Sequence, residues 1–218
     1  MLVQPFVSAS TALLSAASVF LFSTPVKANF DVYRTEIIWG NRPSIVWQFW
    51  EAQAPNDCPR LFKQPLFEEL NNKPNWDSLW GVKCTGSGCS PLDPPGNIDE
   101  LRLKLNREPL LDWTLSKNRG WSMIGRDGNS YGDCMVFPQG DVTCWFGGYH
   151  IQSRRKFRCL SRFTADDLNR PALGGRDLAD ENADSATRVL TGAMTFEQFI
   201  GKEYGTSPAG LEIRPSVL

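Results

Sequence analysis

Six cysteines (Cys58, Cys84, Cys89, Cys134, Cys144 and Cys159) lie downstream of an N-terminal stretch that reads as an export leader. Residues 12–22 form an apolar run too short to cross a bilayer, which takes about 20 residues. Val26-Lys27-Ala28 then offers small residues to a signal peptidase in an Ala-x-Ala-like pattern. No Lys or Arg precedes the run, so the terminal amine is its only positive charge. We expect a leader over residues 1–28 and a secreted, extracellular chain that starts at Asn29. On an oxidising route, an even set of cysteines points to disulfides with no free thiol. Zinc is the competing use. Cys84-x4-Cys89 has a ligand-like spacing, but no second close pair exists and His150 is the only histidine.

Charge narrows the partners. Lys27 is the only charged residue of the leader, so of 23 basic and 24 acidic residues the mature chain keeps 22 and 24. A binder of nucleic acid or anionic membrane usually carries a basic surplus, so neither partner is expected. All eight tryptophans and all six cysteines lie before Phe163. Beyond it, residues 164–218 carry nine acidic and five basic residues and few large apolar groups. Such a segment buries too little to offset the entropy of ordering it. The expected organisation is therefore a disulfide-stapled domain over 29–163 and an acidic, mostly disordered tail over 164–218. The exception is a short helix near 195–204, capped by Thr195, with Phe196, Phe199 and Ile200 on one face.

Inside the domain the apolar period is two. Leu101, Leu103 and Leu105 alternate with charged residues, and on a strand they share a face. Further strands are expected at 36–39, 44–50, 110–115, 121–124, 131–137, 141–146 and 155–160. Gly40 to Pro43, Lys117 to Gly120 and the Asp127-Gly128 pair supply turns. Residues 58–96 hold six prolines and read as loop, with one helical turn around 66–70. The fold class is mainly β: a small antiparallel sheet, barrel- or sandwich-like. A two-residue turn at Gln139-Gly140 would put Cys134 and Cys144 on opposite faces of a hairpin, unable to bond to each other. The strand cysteines are then expected to reach back to the region of Cys58, Cys84 and Cys89, with the pairing left open.

Ala28-Asn29-Phe30-Asp31-Val32-Tyr33 resembles the mature start of a group of fungal small secreted cysteine-containing proteins. Val82-Lys83-Cys84-x4-Cys89, Trp113-Thr114-x2-Lys117-Asn118-Arg119, Gly125-x-Asp127-Gly128-Asn129-x-Tyr131-Gly132-x-Cys134 and Phe157-Arg158-Cys159 extend the likeness over about residues 28–160. Members are counted among candidate effectors of plant- or insect-associated fungi. The resemblance implies an exported protein acting on a host or a competitor, and it carries no catalytic residues with it.

The residues themselves offer few reactive constellations, and no catalytic, cofactor or metal site is assigned. Asp127 to Asp133 looks superficially like a calcium loop but has Pro138 where the twelfth-position glutamate belongs, and reads as a hairpin turn. Arg154-Arg155-Lys156 could be a processing site or a small anion patch, and reads as an exposed strand face. Trp39, Trp47 and Trp50 form the one possible ligand face, since indole rings stack on sugars. The expected function is a non-enzymatic effector or toxin-like protein that meets a host or competitor protein. A cell-wall glycan binder using the tryptophans is the alternative. A ribonuclease-like enzyme comes third, joining His150 to Glu36 or Glu51 and to Arg154, Arg155 or Arg158.

Overall fold

A computed structural model describes residues 30–51, 53–105, 111–146, 148–170 and 193–204. The expected leader, and the parts of the tail at 171–192 and 205–218, lie outside the described residues. The strands are β1 (Phe30–Trp39), β2 (Arg42–Trp50), β3 (Leu66–Glu68), β4 (Gly81–Thr85), β5 (Glu100–Lys104), β6 (Asp112–Ser116), β7 (Ser122–Gly125), β8 (Ser130–Val136), β9 (Val142–Phe146), β10 (Tyr149–Ser161) and β11 (Ala193–Met194). Three helices, α1 (Cys58–Lys63), α2 (Ala165–Asn169) and α3 (Phe196–Tyr204), accompany them.

The molecule is mainly β, and the sheet is an antiparallel, nearly closed barrel in the order β11-β3-β2-β1-β10-β8-β7-β6-β5-β4, with β9 also on β10. Its two ends meet where Glu69 bridges Val82 in parallel and the Leu70 amide donates to the Val82 carbonyl at 2.8 Å. The interior is filled by one face of nine of the strands, among them Phe30 and Val32, Trp47 and Phe49, Leu101 and Leu103, Trp113 and Leu115, and Phe157 and Cys159. Phe49 lies at the centre of an aromatic line, 6.1 Å from Phe30 and 5.0 Å from Phe67.

The outer face of β1, β2, β9 and β10 carries a second apolar layer. Tyr33, Ile37, Val46, Cys144 and Ile151 are covered by Leu61 and Phe62 of α1 and by Phe196, Phe199 and Ile200 of α3. Strand β1 is thus buried on both faces along Phe30–Thr35. That removes the alternation by which a strand is read from sequence, so β1 begins six residues before the expected 36–39.

Three disulfides close the fold: Cys58–Cys144, Cys84–Cys89 and Cys134–Cys159. Only the first reaches from a strand back to the early loop. Cys134 and Cys159 face each other directly across β8 and β10. Cys84 and Cys89 close a loop within the early region itself.

Three further expectations are corrected. Residues 66–70 form no helical turn: Leu66 and Phe67 pair with β11, and Phe67 also pairs with Trp47 of β2. Strands β8 and β9 are not a hairpin. Both run antiparallel to β10, β8 against Phe157–Ser161 and β9 against Tyr149–Ser153. They are one long strand interrupted at 137–141, and the hairpin turn lies between β9 and β10. Nor does the compact unit stop at Phe163. Ala165 and Leu168 of α2 enter the barrel core. Thr164 and Asp167 form a reciprocal cap for that helix. In α3, Thr195 accepts from the Gln198 amide at 3.2 Å. Lys202 reaches back to Glu68 at 2.5 Å.

Candidate functional site

The register of β1 and β2 separates the three tryptophans of the expected ligand face. Trp47 is wholly buried in the barrel, where its Nε1–H donates to Glu69 Oε2 at 3.1 Å. Trp50 packs on the outer apolar layer. Trp39, more than a third exposed, lies stacked with Tyr149 at 6.0 Å between ring centroids. Trp39 pairs with Arg42 and Trp50 with Asp31, so they sit at opposite ends of the ladder, about 27 Å apart. Trp76 is packed by cations, with Lys83 Nζ 4.0 Å and Arg102 4.6 Å from its ring.

The exposed tryptophan of consequence is Trp145 on β9. It is 69% exposed and stacks flat on His150, with centroids 4.1 Å apart and planes 14° from parallel. The two residues are direct cross-strand partners. On the other edge of β10, His150 faces Ile38, Gln152 faces Glu36 and Arg154 faces Arg34. Alternation therefore gathers Arg34, Glu36, His150, Gln152, Arg154 and Trp145 on one face, continuous with the barrel interior but open at its mouth. Glu36 and His150 are diagonal neighbours, with backbones about 7–8 Å apart. Of the basic and acidic groups weighed with His150, Glu36 and Arg154 share its face. Arg155 and Arg158 turn instead to the outer face, and Glu51 lies past the far end of β2.

Arg155 and Lys156 are buried, at 3% and 1% exposure, which corrects the reading of Arg154-Arg155-Lys156 as an exposed strand face and leaves no accessible processing site. Asp31, wholly buried, accepts from Arg155 Nη1 at 2.7 Å and from Arg158 Nε and Nη2 at 2.8 and 2.9 Å. The Phe137 ring lies 4.4 Å from both guanidinium groups. Among the described residues Lys156 has no ion-pair partner. Its ammonium donates to the carbonyls of Gly88 (2.9 Å), Ser90 (2.9 Å) and Asp93 (3.2 Å). Burial, and then the charge of Arg34, push its pKa down to about 8. Neither the Asp31 cluster nor the Lys156 cradle was identified from sequence. The one available signal was the presence of four cations between 154 and 158 in a strand that alternates too poorly to expose them all.

The Asp127–Gly128 turn spends its carboxylate internally. Asp127 accepts from the Asn129 amide at 3.0 Å and from Tyr131 Oη at 2.6 Å, and the Tyr131 bond leads in holding its pKa below the usual carboxylate value. Among the described residues no group of three His, Cys, Asp or Glu side chains could hold a metal ion, and no helix is long and apolar enough to cross a membrane. Three disulfides and that lack of a spanning helix are compatible with an extracellular protein. Comparison with protein-family models, with characterised proteins and with solved structures finds no match to this chain.

Proposed function

We propose that the chain is an exported, non-enzymatic effector or toxin-like protein that meets a host or competitor protein through the open β1–β10–β9 face. The observation that carries this reading is Trp145. A tryptophan left mostly in water contributes nothing to the core, and rigid, pre-oriented tryptophans dominate the energy of protein contacts. Its stack on His150 holds the indole in one orientation, which lowers the entropy lost on binding. The leader-like N-terminus and the fungal resemblance support export.

Two measurements test it. Protein recovered from the medium of cells expressing the full chain should begin at Asn29 and contain no titratable thiol, whereas an intact Met1 or free thiols would refute export. Purified protein, Trp145→Ala and Trp39→Ala should then be compared for growth inhibition or cell death on fungal and plant cells. Loss of the effect in Trp145→Ala alone supports the reading, and equal effects from all three overturn it. Retention on chitin or glucan would favour the glycan-binding alternative instead.

A second reading has one specific observation behind it, the shared face of Glu36, His150 and Arg154. A carboxylate base and an imidazole acid on either side of a phosphodiester, with a guanidinium on the phosphate, suffice for transfer to a neighbouring hydroxyl. RNA cleavage that disappears in both His150→Ala and Glu36→Gln would establish it, and cleavage surviving either substitution would exclude it.

A further inference from the structure

The break between β8 and β9 leaves the edge of β10 without a strand partner at the point where its cations cluster. Among the described residues two bonds replace the ladder there: the Phe137 amide donates to the Lys156 carbonyl at 3.1 Å, and the Arg155 amide donates to Asp141 Oδ1 at 3.1 Å. Opposite the break, the loop from Pro91 to Pro95 stands over the gap, held by the Lys156 ammonium. Between the two lies a cavity of about 400 Å³, lined by that loop and Pro138 on one side and by Asp141, Arg154, Arg155 and Lys156 on the other. Its volume falls in the range of small-molecule sites. Leu92, 83% exposed, flanks it.

Three features of this cavity point to a negatively charged ligand. Four of its ten lining residues are prolines, which have no backbone N–H, and its charged donors are the three β10 cations Arg154, Arg155 and Lys156. The surrounding charges do not balance: Arg154, Arg155, Lys156 and Arg158 face Asp31, Asp93 and Asp141, one cation in excess. Arg154 and Arg155, adjacent in sequence and both lining the space, each keep a buried Nε–H with no acceptor among the described residues. Arg155 is itself 97% buried, so bulk water does not readily serve it. Buried donors without acceptors are uncommon, and an oxyanion provides acceptors in the geometry that guanidinium groups match best. Gly140, at φ +88°, keeps the gap open. A Cβ there would lie 2.7 Å from Arg155 Nη2 and 2.8 Å from the Gln53 amide carbon.

We propose that the cavity at the β8–β9 break binds a phosphate or sulfate monoester, with the oxyanion on Arg154 and Arg155 and the organic part against the proline loop and Leu92. Arg154 is common to this site and to the Trp145 face, but the proposal stands whether or not that face meets a partner. The test is an NMR titration of the arginine Nε–Hε resonances with 4-nitrophenyl phosphate, 4-nitrophenyl sulfate, inorganic phosphate and inorganic sulfate, at ionic strength matched with sodium chloride. Two arginine resonances should shift saturably, and at least one ester should bind roughly tenfold more tightly than its bare ion. The two esters distinguish a phosphate source from a sulfate source. Arg154→Gln should weaken binding at least tenfold, Arg154→Lys should restore only part of it, and Arg119→Gln, in an exposed turn, should change nothing. Shifts that follow sodium chloride alone, or equal binding by the wild type and a folded Arg154→Gln, would overturn the proposal. Bare ions binding as tightly as the esters would overturn the assignment to a monoester.

Discussion

The barrel interior takes its side chains from nine strands, most of them paired with a neighbour next in the chain, and its two disulfides join residues only 5 and 25 apart in sequence. The outer layer is assembled differently. It brings α1, β9 and α3 from distant parts of the chain onto β1, β2 and β10, and its disulfide, Cys58–Cys144, spans 86 residues. The interior is thus specified by local alternation, whereas the outer layer depends on a few long-range ties that each restrict the unfolded chain strongly. The two layers share β1, so damage to one is expected to reach the other through the residues where they join.

The largest expected effect breaks the longest tie. Changing both Cys58 and Cys144 to Ala should cost about 4–5 kcal/mol in guanidinium unfolding, against about 2 kcal/mol for the Cys84–Cys89 pair, because loop-closure entropy grows with length. Equal losses would mean that the outer layer is no more dependent on its tie than the interior. Next comes the junction itself. Asp31→Asn leaves Arg155 and Arg158 without their buried counter-charge and should cost about 3–5 kcal/mol. Hydrogen exchange should then rise in both layers, and a rise confined to one would show that they unfold separately.

A smaller effect is read from pH. The Lys156 ammonium has a folded pKa of about 8 against an ordinary 10.5, so the folded state releases this proton first. Between those values the unfolded chain holds the extra proton, and stability rises with pH by about 3 kcal/mol in all from this group. Tyr33 opposes it above pH 10. Burial is the main cause holding its phenol above the ordinary value, so its contribution is intact below pH 10 and is lost as the pH climbs toward the folded value. Unfolding at pH 7.5 and 9.5 should show the gain, and Lys156→Met should abolish it. The smallest effect is expected at the surface of the outer layer. Lys202→Ala removes a half-exposed pair with Glu68 and should change stability by less than about 1 kcal/mol. A larger loss, measured by thermal melting, would show that α3 is held by charge rather than by Phe196, Phe199 and Ile200.

The same contrast explains what could be read from the sequence. Leu101 and Leu103 on β5, Trp113 and Leu115 on β6 and the Asp127-Gly128 turn follow a period of two with one face in and one face out, and there the strands were legible. The first half of β1 was not, because Asp31, Tyr33 and Thr35 are as buried as Phe30 and Val32. Leu66–Glu68 is too short to display any period. Pro138-Gln139-Gly140 carries the composition of a reversal, yet the chain continues forward because β10 supplies edges for both β8 and β9. Averaged over 55 residues, the C-terminal composition concealed the seven residues at 164–170 and the twelve at 193–204 that pack on the sheet. For the open face, His150, Glu36 and Arg154 could each be named from sequence. What joins them is the β1–β10 register between positions more than 110 residues apart, which no local pattern encodes. Asp31 and Lys156 were missed because a charged side chain reads as solvent-facing until its partners are known.

Strand β1 opens the described chain, and one of its two partners, β10, is completed only at Ser161. The barrel therefore cannot close before residue 161 has been made, since its first strand must wait for more than a hundred further residues. Hairpins such as β1–β2 need only their own two strands, so local pairs can form early while closure of the whole sheet comes late.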